Sequence, residues 1–433
     1  MVSRDYRRIQ KELKRKYRPE SLASSYGYDP ALSQGAMVPP IFLSSTFVFK
    51  SAEDAKRSFE IAYHLRKKGA KEEPSLIYSR LNNPDLEILE DRLTLFERGI
   101  EKAAVFTTGM SAIASSILAL CKSGDTLLFS APVYGGTDFL FRQILPRLGI
   151  KTAQFPAGSD GEEVRQEIRR LKERGERPAM IFLETPANPT CALTDIKEMA
   201  DVAKEASRST KQDIPLVVDN TFLGPMWQNP GEHGADLVVY SATKFIGGHS
   251  DVVAGVALGD EETIEDKIKV YRTILGTILS PFEGYLLLRS LETLKMRMTA
   301  QAKNARYVAE WLAKHPKVEK VYYPGLLEPG NPQHKIFERQ CKNAGSMISF
   351  DIRGGRKQAF EFLNALENIR LAVSLGSMQT LAEHPSTMTH SDLQSETKTQ
   401  LGITESMIRL SIGVEYYTDI LDDLEQAMNK LGA

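Results

Sequence analysis

Cysteine is scarce in this chain. Cys121, Cys191 and Cys341 are the three in 433 residues, odd in number and without metal-ligand spacing. They exclude a disulfide framework, give no metal site, and fit a reducing, cytoplasmic setting. Net charge is also nearly missing, at -1, which gives no reason to expect nucleic acid or an acidic surface as partner. No apolar run reaches bilayer length, so no membrane span is expected. The N-terminus carries no apolar signal core, so secretion is not expected either. What remains is an ordinary globular composition, 42% hydrophobic and 26% charged, on a chain long enough for a large core and two packed domains.

Along the chain, Tyr6, Ile9, Leu13 and Tyr17 fall at helical spacing among many lysines and arginines. This predicts a basic amphipathic helix over residues 1–20, packed on the body or on a partner subunit. Residues 21–50, with Gly27, Pro30, Gly35 and Pro39-Pro40, read as an irregular arm. Residues 51–73 are charged and helix-prone. From about 85 to 260, short apolar runs alternate with helical stretches: residues 103–106, 126–129, 180–183, 214–218 and 237–240. That alternation predicts a mostly parallel sheet with helices on both faces, an α/β architecture whose ligands sit at the carboxyl ends of the strands. Beyond about 286 the pattern is helical, over 285–298 and 303–315, then mixed, with apolar runs at 346–352 and 406–414. It reads as a smaller α/β domain.

The run at 237–240 ends in Ser241-Ala242-Thr243-Lys244-Phe245-Ile246-Gly247-Gly248-His249-Ser250-Asp251. A lysine just past a buried strand is desolvated, which lowers its pKa and suits it to attack a carbonyl. Ser241 and Thr243 offer hydroxyl donors for an anion, and the glycine pair lets backbone approach a ligand. This string resembles the lysine segment of the pyridoxal-phosphate enzymes of cysteine and methionine metabolism, the family of cystathionine γ-synthase, cystathionine lyase and methionine γ-lyase. The other strand ends carry matching motifs: Tyr78-Ser79-Arg80-Leu81-Asn82-Asn83-Pro84, Thr108-Gly109-Met110, Tyr134 with Gly135-Gly136, Glu184-Thr185-Pro186-Ala187-Asn188-Pro189 and Asp219. Further on come Ser374-Leu375-Gly376, His384-Pro385 through Thr389-His390, and Arg409 inside an apolar run. The resemblance covers roughly residues 36–430.

What the resemblance implies is a fold-type-I enzyme with pyridoxal 5'-phosphate as cofactor and no metal. Lys244 would hold the cofactor covalently and then move protons, with Tyr134 stacked on its ring and assisting. Asp219 would pair with the ring nitrogen and Asn188 with the phenolic oxygen. Gly109, Met110, Ser241 and Thr243 would bind the phosphate, joined by Tyr78 and Arg80 reaching over from a neighbouring subunit. That implies a homo-oligomer, a dimer-built tetramer. Arg409, Ser374 and Asn188 would hold the substrate, and the 384–390 loop would close the site. Arg409 needs a partner where it lies, and the carboxylate of a substrate would be one. The domains expected are an arm and helical extension over 1–73, a cofactor domain over 74–285 and a C-terminal domain over 286–433. The reaction implied is γ-elimination or γ-replacement on a sulfur amino acid or an activated homoserine. A methionine γ-lyase or acylhomoserine sulfhydrylase is the alternative; a cystathionine β-lyase, an aminotransferase and a non-catalytic scaffold are further ones. Two departures bear on the substrate. Gly136 stands where methionine γ-lyases typically carry cysteine, and Ser377-Met378-Gln379 where relatives usually carry small residues followed by glutamate.

Overall fold

The computed structural model describes residues 4–63, 65–67, 69, 72 and 75–431. The side chains of Arg4, Tyr6, Arg7, Arg8 and Lys11, counted in the basic helix, lie outside the described residues, as do several residues of the expected 51–73 helix. The larger sheet has seven strands: β1 (Lys102–Phe106), β2 (Asp125–Ala131), β3 (Lys151–Pro156), β4 (Arg177–Glu184), β5 (Leu216–Asp219), β6 (Leu237–Ser241) and β7 (Gly255–Gly259). Their order is β1-β7-β6-β5-β4-β2-β3. β7 runs antiparallel to both of its neighbours and the other pairs are parallel. Six strands therefore point the same way, and their carboxyl ends open on one edge of the sheet.

Alternation along each strand feeds two cores. On β6, Val238 and Tyr240 pack with the helices Pro84–Leu93 and Ile196–Thr210. Leu237 and Val239 pack with the helix Gly109–Leu120 on the opposite face. This period-two division is what a strand buried on both sides requires.

The second sheet has five strands: β8 (Val318–Tyr322), β9 (Met347–Ile352), β10 (Arg370–Leu371), β11 (Leu381–Glu383) and β12 (Met407–Ser411), in the order β10-β11-β12-β9-β8. A single long helix, Leu294–Leu312, joins the two bodies. Its first half buries Leu294, Met298 and Ala302 in the large core. Its second half buries Ala305, Val308, Ala309 and Leu312 in the small one. The helical stretch expected over 285–298 is thus two helices, since Pro281–Leu291 ends before Leu294, and residue 285 lies inside the first.

The N-terminal helix Arg4–Lys16 docks on the body through Gln10, Leu13 and Lys14. Gln10 accepts from Gly27 N at 3.1 Å, Lys14 donates to Thr94 Oγ1 at 3.0 Å and Leu13 packs on the large core. Ile9 and Tyr17 remain exposed. The 51–73 segment is helical over Ala52–Ala62, capped by Ser51. Among the described residues no helix is long and apolar enough to cross a membrane.

Candidate active site

The opened edge of the large sheet collects the chemistry. β1 leads into the helix Gly109–Leu120, where the Thr108 side chain accepts from Ser111 N at 2.8 Å. The cap satisfies the third amide of the helix and leaves those of Gly109 and Met110 to another acceptor. Gly109 lies against Ser241: a Cβ on it would come within 2.8 Å of the serine Cβ, so only glycine allows this approach. Thr243 spends its hydroxyl on the backbone, accepting from Ala254 N at 3.0 Å and lying 3.2 Å from Ala254 O.

Asp219 ends β5, buried at 6% exposure, and its Oδ1 accepts from Thr221 N at 2.9 Å. Thr221 in turn receives Ser241 N at 2.8 Å, so the ends of β5 and β6 are tied together. Burial pushes the Asp219 carboxyl up to about 6. Lys244 follows in the turn after β6. Its amine donates to Ser374 Oγ at 2.7 Å. Burial, then the charge of Arg409, lowers it to about 8, with Glu383 acting the other way.

Ser374 arrives from the smaller sheet. It has a φ of +95°, a conformation a serine holds only where its surroundings fix it. Two residues on, Gly376 (φ +78°) packs on the Lys244–Phe245 backbone, where a Cβ would stand 2.6 Å from Phe245 N. Arg409 lies in β12. Its Nη2 donates to Ser374 O at 2.9 Å, and its Nη1 to Asn188 Oδ1 at 3.0 Å. The same Nη1 is 3.0 Å from Glu383 Oε1, with both side chains almost fully buried. Lys244, Ser374, Arg409 and Asn188 are thereby linked in one chain of contacts.

Tyr134 joins through its backbone, whose N–H donates to Glu184 Oε2 at 2.6 Å, while the residue as a whole is 43% exposed. The 384–390 loop locks against it. His390 Nε2 lies 3.1 Å from Val133 O, and Thr389 Oγ1 donates to Glu383 Oε1 at 2.9 Å. Burial lowers the His390 pKa to about 4, so the imidazole is neutral and donates to the carbonyl. His384 bonds Thr387 and the backbone of Glu405.

Tyr78 and Arg80 lie elsewhere on the surface. Arg80 donates to Thr273 O at 3.0 Å and its guanidinium sits 5.8 Å from the centre of the Tyr78 ring. Among the described residues no hydrogen bond or ion pair joins either to Lys244, Asp219, Asn188, Ser374 or Arg409.

Two features escape a reading of the sequence alone. Glu383 already supplies the partner that a buried Arg409 needs, so substrate is not required for that. Glu184 and Asp219 are register partners across β4 and β5. Pairing Glu383 with Arg409 needs the register of the small sheet.

A family model described as Cys/Met metabolism PLP-dependent enzyme matches residues 21–429. The chain belongs to this family. Among curated relatives of the family, L-methionine gamma-lyase of Fusobacterium nucleatum subsp. polymorphum is 38% identical over 92% of this chain and 94% of its own. Cystathionine beta-lyase of Coxiella burnetii is 36% identical over 93% and 95%. Among solved structures, metB from Corynebacterium glutamicum superposes with a TM-score of 0.83 at 32% identity, covering 97% of this chain and all of that one. Cystathionine gamma synthase from Xanthomonas oryzae pv. oryzae gives 0.83 and 32%, over 96% and 98%. The protein is accordingly a PLP-dependent enzyme of the trans-sulfuration family, a group of C–S lyases and γ-synthases, with the fold-type-I architecture of its structural neighbours.

Proposed function

We propose that this enzyme eliminates or replaces the γ-substituent of a sulfur amino acid or an activated homoserine, as a cystathionine γ-synthase or γ-lyase does. One observation carries the reading. Arg409 is held at Nη1 and at one N–H of Nη2, while its buried Nε has no partner. Nε and Nη2 form the side-on edge of a guanidinium, the edge that takes a carboxylate through two parallel bonds. Ser374 links that edge to the Lys244 amine, its carbonyl accepting from Arg409 and its hydroxyl from Lys244.

The residues fit pyridoxal phosphate. Asp219 is a buried carboxyl whose raised pKa a cationic ring nitrogen would bring back down, and the first amides of the helix Gly109–Leu120, with Ser241, face the same edge for a phosphate. When bound, the cofactor supplies an aldehyde for amines and a ring that takes up an electron pair. Lys244, with its lowered pKa, is the base that removes and returns substrate protons. Ser374 fixes its amine in place. Asn188, clamped by Arg409, offers its own amide N–H₂ to an oxygen of the cofactor. Tyr134 presents a ring face with its backbone pinned to Glu184.

Gly136 favours the synthase or γ-lyase reading over a methionine γ-lyase. A Cβ there would lie 2.7 Å from Tyr134 Cε1, so this position of the ring depends on the absence of a side chain. The names of the relatives favour chemistry at the γ-carbon. Tyr78 and Arg80, half-exposed and away from Lys244, serve the site of a neighbouring subunit. The exposed Met37, Val38, Leu43 and Val48 of the arm and Ile274, Leu275 and Phe282 supply apolar surface for that assembly. Three unpaired cysteines fit the cytoplasm.

The deciding experiment incubates the purified holoenzyme with cystathionine, with methionine and with acylhomoserines plus cysteine, and identifies the products. Cystathionine formed from an acylhomoserine, or cysteine and a 2-oxo acid released from cystathionine, is expected. Methanethiol from methionine as the dominant product would move the assignment to the alternative.

A further inference from the structure

Strands β11, β12 and β9 set three residues in one register row: Glu383 opposite Arg409, and Arg409 opposite Ser349. Their neighbours Ala382, Ile408, Leu410, Ile348 and Phe350 point the other way, into the small core. The row therefore faces the large body, and each member grips something there. Ser349 Oγ donates to Pro189 O at 2.7 Å, holding the loop that carries Asn188. Arg409 holds Asn188 and Ser374. Glu383 holds Arg409, and receives Thr389 from the loop that His390 fastens beside Tyr134. Its second oxygen, Oε2, is buried without a partner.

A guanidinium buried in a strand has several orientations open to it, and an unpaired one would carry a large desolvation cost. Glu383 removes both problems at once. It gives Arg409 an ion-pair partner and takes Nη1, the nitrogen that lies outside the Nε/Nη2 edge. We infer that Glu383 is a positioning residue for amino-acid recognition: it turns the Nε/Nη2 edge of Arg409 toward the substrate and ties that edge to the loop seating Tyr134. The inference rests on the reading of Arg409 as the carboxylate grip. Selectivity then comes from fork geometry, because Arg409 already has an ion-pair partner before substrate arrives.

A competing expectation is that Glu383 repels a substrate carboxylate, in which case removing its charge would tighten binding. The two are separable without turnover. Wild type, Glu383→Gln and Glu383→Ala holoenzymes are titrated with L-norleucine, which has no leaving group at its γ-carbon, and with pentylamine, the same molecule without its carboxylate. Binding is followed by visible absorption of the cofactor. Wild type is expected to prefer norleucine by about tenfold or more. The Gln and Ala variants are expected to bind norleucine about tenfold more weakly, with pentylamine unchanged within about twofold, because the loss is confined to the carboxylate contact. Cofactor content reports that the variants are folded.

An intact or increased preference in folded variants overturns the inference while leaving Arg409 its role. Absence of any preference in wild type removes the reading of Arg409 and the inference with it. Should neither variant fold, Glu383→Asp keeps the charge but withdraws it by a methylene. It is expected to lose about threefold of the preference, and an unchanged preference there would overturn the inference equally.

Discussion

Glu184 and Asp219 lie side by side across the parallel strands β4 and β5, two carboxyl groups with 4% and 6% exposure. They cannot both ionise freely, since each is buried and each is the near neighbour of the other's charge. Burial drives Glu184 well up, and the charge of Asp219 adds to it. Asp219 rises only to about 6. Of the two, Glu184 therefore holds a proton more tightly than Asp219 does.

The pair predicts an asymmetry between two nearly isosteric changes. Glu184→Gln preserves an oxygen for Tyr134 N and a neutral side chain, so kcat and cofactor affinity are expected within about threefold of wild type. Asp219→Asn deletes the anion that a pyridinium would face, and a loss of about a hundredfold or more in kcat is expected. Equilibrium dialysis of the cofactor and initial rates measure both. Equal damage from the two substitutions would show that the proton resides elsewhere.

The same charges set a pH profile for cofactor capture by the cofactor-free protein. Asp219 is held at about 6 and Lys244 at about 8. Below pH 6 the aspartate is protonated and offers no counter-charge, so capture is expected to fall as pH drops through that value. Between 6 and 8 the fraction of neutral Lys244 amine rises, and the rate of covalent capture is expected to rise with it. Stopped-flow absorbance after adding pyridoxal phosphate records the curve. Lys244→Ala should show no covalent phase at any pH and essentially no turnover. A rate independent of pH from 6 to 8 would mean that the amine is not the titrating group.

Much of this was legible in the residues. The five apolar runs from 103 to 240 became β1, β2, β4, β5 and β6, because a strand buried on both faces has no polar alternative to display. β3 escaped notice since only Phe155 of its six residues is buried, at a sheet edge. β7, a short run bounded by glycines, gives no sequence clue that it inserts antiparallel between β1 and β6. Lys244, Asp219 and Asn188 were readable from the motifs they sit in. The meeting of Lys244 and Asn188 with Ser374 and Arg409 was not, since that depends on how the small sheet is carried over by the helix Leu294–Leu312. The Glu383–Arg409 contact spans 26 positions of sequence and exists only through the register of β11 on β12.

Arg80 and Tyr78 supply a test of the shared site. Arg80 makes one backbone hydrogen bond, to Thr273, with Tyr78 beside it, so Arg80→Ala should cost little stability in its own subunit. Arg80→Ala is expected to weaken cofactor retention by about tenfold or more through loss of a charged phosphate contact. Lys244→Ala should be inactive alone. If the site is built from two chains, unfolding and refolding the two variants together gives mixed dimers with one complete site, and recovers about a quarter of wild-type activity at a cofactor concentration that leaves Arg80→Ala empty. No recovery, with mixed dimers demonstrated by differential tagging, would show that Arg80 does not complete the site of its partner subunit.

Gly376 and Gly276 have similar backbone angles, with φ of +78° and +72°, but opposite surroundings. A Cβ on Gly276 meets nothing within 4 Å, whereas one on Gly376 would press into the backbone between Lys244 and Phe245. Gly276→Ala therefore isolates the conformational cost, about 1 kcal/mol, and should leave activity intact. Gly376→Ala adds a steric clash to that cost, for a total of about 2–4 kcal/mol. The clash also pushes on the lysine itself, moving its amine off Ser374 Oγ. Thermal melting should rank the two variants, and the visible absorption of reconstituted protein should fall for Gly376→Ala alone. If Gly376→Ala melts low yet binds cofactor and turns over normally, the loop does not position Lys244, and the bond between Lys244 and Ser374 carries no weight in the chemistry.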